Sequence, residues 1–284
     1  MKASDVQLAV GAAMSSASAA GLRADDAVVL HDSDKLTVRL LPCDTVARIA
    51  YLGREVAEFE VELAQRLAET GSPVIALDPR VEPRVHVRDG FAITLWTYYE
   101  PASPGKIAPV DYANVLERLH VGMRRVTMST PRFTDRVADA KSIVASPDRS
   151  PELTEDDREF LGNTLTSATR AIEDRRAPEQ LLHGEPHLGN VLNTQSGLLF
   201  VDLETCCRGP VEFDIAHAVR VAGSDAGFDV DEVSEKYPDA DQELVRQCFV
   251  LMLALITTWR WDRGDQLPNG RRLGVEWLGQ LRRM

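Results

Sequence analysis

The sequence predicts an α+β chain, in which a small antiparallel β lobe with one helix precedes a larger, mainly helical lobe. Short runs rich in β-branched residues, separated by turn-forming residues, dominate the N-terminal third, as is typical of antiparallel strands. Farther along, apolar residues recur with a helical period and only one hairpin signal follows. We therefore expect a first lobe over residues 1–97, a linker over 98–106 and a second lobe over 107–284.

The first lobe is expected to contain two groups of strands with one inserted helix, and a further helix precedes the strands at the N-terminus. An alanine-rich helix is predicted over 5–20 and an amphipathic helix over 54–70, where Gly71 and then Pro73 end the pattern. The predicted strands are a meander over 27–30, 36–41 and 46–52, and a hairpin over 84–87 and 91–96. The Asp89-Gly90 pair is a typical hairpin turn.

The second lobe is expected to be helical apart from one hairpin. Pro101, Pro104 and Gly105 give the segment before it the composition of a linker. The predicted helices cover 110–123, 153–177 and 245–259. The hairpin is the only β element that we expect beyond the linker.

That hairpin brings polar residues to one end. Two apolar runs, 191–193 and 198–201, flank a turn over 194–197. Pairing Asn193 with Leu198 would set Asn190 beside Asp202, so that two oxygen ligands converge.

A loop rich in ionisable groups precedes the hairpin. His183, Glu185 and His187 alternate with Gly184 and Pro186, which forbid a regular helix. The loop therefore has the residue types of a catalytic or metal-binding site.

Composition restricts the class of protein. The net charge of −12 argues against nonspecific binding to nucleic acid or anionic membranes and favours cationic partners. The longest apolar stretch, 249–259, is far shorter than the roughly 20 residues that span a bilayer. The N-terminus lacks a secretory pattern, and Cys43, Cys206, Cys207 and Cys248 form no CxxC pair. We expect a cytoplasmic protein with no nucleic-acid or membrane partner.

Three linked motifs occur in the second lobe. Residues 183–190 read HGEPHLGN, residues 200–202 read FVD, and residues 209–216 read GPVEFDIA. In this order they resemble the HGDxHxxN motif, the downstream aspartate and the GPxxxDLA segment of the aminoglycoside phosphotransferase family of small-molecule kinases. The resemblance implies a bilobal protein-kinase-like fold and transfer of the γ-phosphate of ATP to a hydroxyl group.

The resemblance also assigns roles in the second lobe. Glu185 would be the catalytic base, and Asn190 and Asp202 would be Mg²⁺ ligands. His183 would order the catalytic loop, and Asp214 would brace that loop from the following helix.

In the first lobe the resemblance implies a nucleotide site. Arg48 would be the phosphate-contacting cation, at a position where many relatives have lysine, and Glu60 would be its partner carboxylate. Thr94, Trp96 and Tyr98 would belong to the hinge that receives adenine through backbone hydrogen bonds. Since no GxGxxG motif is present, the turn over 32–35 is assigned to the phosphates.

Glu185 departs from the family pattern, which has aspartate there. The additional methylene extends the side chain by about 1.5 Å, and misplacement on that scale can cost on the order of 10²-fold in rate. Two readings stay open: an active kinase, and a catalytically weak or silent nucleotide-binding protein of the same fold.

The same residues also fit other functions. His183, Glu185 and His187 also have the chemistry of a zinc site, which would make the chain a metal-dependent hydrolase. Asn190 and Asp202 could instead cap the hairpin. The PCxxC segment that a zinc deaminase needs is missing.

The acceptor cannot be read from the sequence. An acidic run over 225–243, and Trp259, Trp261, Asp262 and Asp265, would suit a cationic acceptor such as an aminoglycoside, or would be ordinary surface and core. Antibiotic resistance is therefore one role among several. Oligomeric state and the choice between ATP and GTP are equally open.

Overall fold

The computed structural model describes residues 1–2, 4–33, 35–53, 56–103, 105–224 and 226–284. The chain forms two compact units. The first comprises Met1–Gly105 and Leu192–Glu204, and the second comprises Lys106–Val191 and Thr205–Met284. An antiparallel sheet in the first unit and helices in the second confirm the predicted α+β class.

The secondary structure follows the chain in this order. The helices are α1 (Val6–Ala19), α2 (Val56–Glu69), α3 (Pro109–Met123), α4 (Phe133–Ala145), α5 (Glu155–Asp174), α6 (Val211–His217), α7 (Val230–Ser234), α8 (Gln242–Trp261) and α9 (Gly270–Leu281). The strands are β1 (Ala24–Asp32), β2 (Leu36–Pro42), β3 (Thr45–Tyr51), β4 (His86–Arg88), β5 (Phe91–Thr97), β6 (Gln180–Leu182), β7 (Val191–Thr194), β8 (Gly197–Phe200) and β9 (Cys207–Gly209).

The sheet of the first unit has the order β1-β2-β3-β5-β4, with antiparallel neighbours throughout. Buried residues alternate along β3, where Ala47 and Ile49 face the core shared with α1. The small alanines of α1 let this helix pack closely on the sheet. Arg48, between those two positions, therefore points to the opposite face.

The predicted hairpin exists as β7 and β8 and forms part of the first unit. The Phe200 amide donates to the Pro73 carbonyl at 2.8 Å, and the Ala102 amide donates to the Asn193 carbonyl at 2.9 Å. The sequence analysis grouped these residues with the helical lobe, and the lobe boundaries that it drew stay a prediction.

Two features of the second unit differ from expectation. Helices α4, α7 and α9 were not predicted, and β6 pairs with β9, so the hairpin is not the only β element beyond the linker. Both strands are three residues long, too short to show a periodic pattern. Four predicted features include residues outside the described ones: Asp34 of the turn assigned to the phosphates, the helix start at Arg54, the linker residue Pro104 and the acidic residue Asp225.

Helix α8 is at the centre of the second unit, where it packs against α4, α5, α6 and α9. Its residues Leu251, Leu253 and Leu255 are all buried, which explains the long apolar run in the sequence. Among the described residues, no helix has the length and apolarity needed to cross a membrane.

Replacing Ile49 with alanine should destabilise the first unit. The side chain has 0% exposure, so Ile49→Ala removes buried methyl groups and leaves a cavity, at a cost of about 2–5 kcal/mol. Val87→Ala is the matched control, because this edge-strand residue is 62% exposed and should change stability by less than about 0.5 kcal/mol. Urea denaturation followed by far-UV circular dichroism measures both, and equal losses would contradict the assigned core.

Candidate active site

Arg48 and Glu60 are joined in the first unit. The register of the sheet places Arg48 opposite Thr94 on β5, and its Nη1 donates to Oε1 of Glu60 on α2. The Glu60 side chain is only 2% exposed, so its charge requires a partner. The structure thus brings together the cation and the carboxylate that the resemblance paired.

Asp202 is held by the same arginine. It follows β8 with a φ of +67°, an uncommon conformation for a residue with a side chain. Arg48 Nη2 donates to Asp202 Oδ1, and the Leu203 amide donates to Glu60 Oε1 at 3.1 Å. The turn that carries Asp202 is therefore tied to both β3 and α2.

Lys35 and Glu204 complete what we call the first-unit charge cluster: Lys35, Arg48, Glu60, Asp202 and Glu204. The Lys35 Nζ atom lies 3.2 Å from Glu60 Oε2, 3.5 Å from Asp202 Oδ1 and 2.5 Å from Glu204 Oε2. Neither Lys35 nor Glu204 was assigned an individual role from the sequence. Two sequence features could have pointed to them: Lys35 ends the turn assigned to the phosphates, and Glu204 follows Asp202 by two positions. Asp34 of that turn lies outside the described residues.

The ionisation of this cluster follows from burial and charge. Burial alone would lower the pKa of Lys35, but Glu60, with Glu204 and Asp202, raises this pKa above its ordinary value. Burial raises the pKa of Glu204, and Lys35 opposes that effect. Because its pKa is raised, the ammonium group of Lys35 is charged at neutral pH.

The predicted hinge residues are mostly buried. Trp96 Nε1 donates to Thr94 Oγ1 at 2.7 Å inside the unit, and the Thr97 amide donates to the Ala76 carbonyl at 2.9 Å. Tyr98 is only partly buried, and the guanidinium carbon of Arg39 lies 3.7 Å from its ring centroid. Any nucleotide contact from Thr94 or Trp96 would therefore use the backbone.

In the second unit, Glu185 is paired with an arginine that the sequence analysis missed. Arg136 of α4 donates through Nη2 to Glu185 Oε1 and through Nη1 to the Gly184 carbonyl at 2.7 Å. Its guanidinium carbon also lies 4.9 Å from the ring centroid of Trp259. Burial would raise the pKa of Glu185, but Arg136 lowers it below its ordinary value, so the carboxylate is ionised.

Gly184 allows the sharp turn of this loop. Its φ is +86°, and a Cβ built there would overlap the carbonyl oxygen of Thr205. Only glycine fits without a rearrangement.

Asp214 anchors the same loop from α6. Its two carboxylate oxygens each accept one backbone hydrogen bond at 2.8 Å, from His183 and Gly184. His120 Nε2 lies 2.9 Å from Asp214 Oδ2, and Tyr237 lies 2.7 Å from the other ring nitrogen of His120. Burial would raise the pKa of Asp214, but the hydrogen bond with His120 and nearby charges lower it. His183 and Asp214 were predicted from the sequence, whereas His120 and Tyr237 were not, because α3 and the segment after α7 supply them from distant parts of the chain.

Asn190 and Asp202 belong to different units. Asn190 ends a single 3₁₀ turn, Leu188–Asn190, and its Nδ2 donates to the Glu185 carbonyl at 3.0 Å. This bond uses the amide nitrogen and leaves the oxygen as the atom with cation-ligand chemistry.

The zinc reading finds no support in the geometry. No group of three or more histidine, cysteine, aspartate or glutamate side chains is arranged to hold a metal ion among the residues that the structure describes. His183, Glu185 and His187 are all among those residues. His183 and His187 instead accept backbone hydrogen bonds through Nδ1, from Glu185 and Gly189.

Some of the acidic groups considered for a cationic acceptor are paired with arginines. Two carboxylates of the acidic run, Asp231 and Asp241, and two that follow α8, Asp262 and Asp265, each have an arginine partner within 3.0 Å. These pairs are Asp231–Arg246, Asp241–Arg175, Asp262–Arg149 and Asp265–Arg260. Their attraction for a polycation is correspondingly reduced.

Asp214→Ala should strongly destabilise the chain at neutral pH. The change leaves two buried amides and His120 without their acceptor, at a cost of about 3–5 kcal/mol. A lowered folded-state pKa means that this stabilisation is present above the ordinary aspartate pKa of about 4 and is lost as pH falls through the folded value. Urea denaturation from pH 7 to pH 3 should show the two proteins converging.

Asp139→Ala is the control for that experiment, because Asp139 is an exposed carboxylate of α4 that pairs with an exposed arginine. A constant difference between Asp214→Ala and the wild type across the pH range would contradict the assigned ionisation.

Comparisons with known proteins identify the family of the chain. A profile described as the phosphotransferase enzyme family matches residues 24–245. A search of curated proteins finds no match.

Solved structures share the fold at low sequence identity. The GDP complex of aminoglycoside 2'-phosphotransferase-IIIa is 13% identical, with 100% of this chain and 99% of that chain covered and a TM-score of 0.72. The choline kinase LicA from Streptococcus pneumoniae is 12% identical, with 95% and 98% covered and a TM-score of 0.65. An ethanolamine kinase from Plasmodium vivax is 14% identical, with 90% and 81% covered and a TM-score of 0.64. The family profile spans well over half of the sequence, and the chain therefore belongs to the phosphotransferase enzyme family.

Proposed function

We propose that this chain is an ATP- and Mg²⁺-dependent kinase that phosphorylates a hydroxyl group of a small molecule. The observation that carries the proposal is the double contact of Arg48, which joins Glu60 to Asp202. Phosphoryl transfer depends on positioned cations and metal ligands around the phosphates more than on covalent chemistry. The first-unit charge cluster has the residue types for that task.

The oxygen donors of the two proposed ligands, taken separately, have the chemistry that magnesium prefers. Asp202 offers a carboxylate and Asn190 an amide oxygen, and Mg²⁺ is usually held by one or two carboxylates together with substrate phosphates. A bound Mg²⁺ would supply charge neutralisation to the nucleotide. Both residues are proposed ligands.

Glu185 is the proposed acceptor-side group. The acceptor oxygen bonds to the γ-phosphorus, the bond from that phosphorus to the bridging oxygen breaks, and the hydroxyl proton passes to Glu185. The lowered pKa of Glu185 makes it a weak base, so its main contribution is to orient the hydroxyl group. Arg136 fixes the longer side chain in place, and Asp214 and His183 hold the loop.

The proposed acceptor is a hydroxylated small molecule. The structural neighbours include kinases of aminoglycosides, ethanolamine and choline, which supports this class. We propose the cytoplasm as its location, because the reaction uses ATP and the four cysteines are free thiols.

One observation favours a second candidate. Arg136 is ion-paired with the carboxylate of Glu185 that would orient the acceptor hydroxyl. This pairing would suit a nucleotide-binding protein with weak or no catalysis. The two candidates differ in turnover and agree in nucleotide binding.

Calorimetric titration with nonhydrolysable ATP and GTP analogues tests the shared part. We expect binding that is strengthened by Mg²⁺. A folded protein that binds neither analogue, with or without Mg²⁺, would overturn both candidates.

Asp202→Ala should abolish turnover and the Mg²⁺ dependence of analogue binding, because it removes the proposed metal carboxylate. Turnover is measured by nucleoside diphosphate release with a panel of hydroxylated amines and sugars. Asp25→Ala, which changes an exposed carboxylate of the same unit, is the control and should leave the rate unchanged. Full activity in Asp202→Ala would refute the metal assignment.

Glu185→Asp should lower the rate on the order of 10²-fold, because the shorter side chain retracts the carboxylate from the place where Arg136 holds it. Glu185→Gln keeps the length, removes the charge and should lose about 10²- to 10⁴-fold. A large gain in Glu185→Asp would instead show that the natural residue disables catalysis and would favour the second candidate.

A further inference from the structure

We propose that Lys35 is the residue that binds the nucleotide phosphates, and that Arg48 is a positioning residue that holds Glu60 and Asp202. This inference rests on the proposed function. It reverses the expectation from the sequence, which placed the phosphate contact on Arg48 of β3. Lys35 immediately precedes β2, which is the strand next to β3 in the sheet.

The guanidinium of Arg48 is already committed. One terminal nitrogen donates to Glu60 and the other to Asp202, and the side chain is 11% exposed. Guanidinium donors have a fixed planar arrangement, so two carboxylates on different elements, each accepting from a different terminal nitrogen, define the orientation of Arg48. Arg48 is thus well suited to fix two carboxylates and poorly suited to follow a ligand.

The ammonium of Lys35 has the opposite properties. Its three donors rotate on a flexible stem, and it lies within ion-pair distance of Glu60, Asp202 and Glu204. Asp202 is a proposed metal ligand, so nucleotide binding would draw this carboxylate into new contacts. Lys35 can keep Glu60 as its anchor and turn its remaining donors to a phosphate.

The charge balance also calls for this lysine. In the first-unit charge cluster, two cations face three carboxylates. A polyphosphate would be repelled by such a surplus of negative charge unless cationic donors faced it. Without Lys35, Arg48 alone would compensate three carboxylates.

The position of Lys35 in the chain agrees with a phosphate contact. It is the last residue of the turn over 32–35, which replaces a glycine-rich loop in the sequence analysis, and the Ser33 amide donates to the Lys35 carbonyl at 3.2 Å. Its side chain is 13% exposed, so it is mostly packed and keeps some contact with solvent.

The test compares ligands that differ only in phosphate number. Calorimetry with Mg²⁺ measures adenosine, ADP and a nonhydrolysable ATP analogue on wild type, Lys35→Met and Lys35→Arg. The guanosine series is run in parallel, and variants are judged on the base that wild type prefers. Arg23→Met, which removes a cation that is 77% exposed on the same unit, is the matched control.

We expect Lys35→Met to weaken the triphosphate analogue by about 10- to 100-fold, the effect of a lost charged hydrogen bond, and the diphosphate by less. Nucleoside binding should be unchanged, which also shows that the site is folded. Lys35→Arg should recover part of the loss, and Arg23→Met should match wild type.

Two outcomes would overturn the inference alone: an unchanged triphosphate affinity in Lys35→Met, or an equal loss for nucleoside and triphosphate, which indicates a purely structural role. A wild-type protein that binds no triphosphate analogue in either Mg²⁺ condition would overturn the proposed function as well. The two failures are therefore distinguishable.

Discussion

The buried carboxylate of Glu60 imposes the main constraint on the first unit. An ionised group with 2% exposure must be paired, and Glu60 meets this need through Arg48 on β3, Lys35 before β2 and the Leu203 amide after β8. Segments far apart in sequence thereby converge on one helix. The left-handed conformation of Asp202 persists in this setting, because the surrounding contacts hold the turn.

The second unit uses the same device with a different partner. Asp214 is fully buried, and its charge is balanced by backbone amides and His120 instead of by lysine or arginine. The loop that carries Glu185 is thus anchored from α6 by the carboxylate of Asp214 and from α4 by Arg136. Both proposed functional carboxylates, Asp202 and Glu185, are ion-paired with arginine.

Much of the fold could be read from local patterns. The meander, the amphipathic helix α2 and the hairpin of β4 and β5 have clear periodicity and turn residues, and the structure contains each of them. Helix α4 was missed, and so was the β6–β9 pair, whose strands are too short to leave a pattern. Arg136 was not predicted either, because it lies on α4, and a residue on an unpredicted element cannot be assigned a partner.

The sequence by itself determined the family, the fold class and the motif residues, because the spacing of the motif residues can be read directly along the chain. His183, Glu185, Asn190, Asp202 and Asp214 all lie in one short stretch. The tertiary structure alone decided their partners. Lys35, Arg136 and His120 contact these carboxylates across 49 to 167 positions of chain, and only folding determines which distant charges meet. A buried carboxylate that stays unpaired costs free energy, so the folded structure supplies a partner. The identity of that partner cannot be read from the neighbouring residues in the sequence.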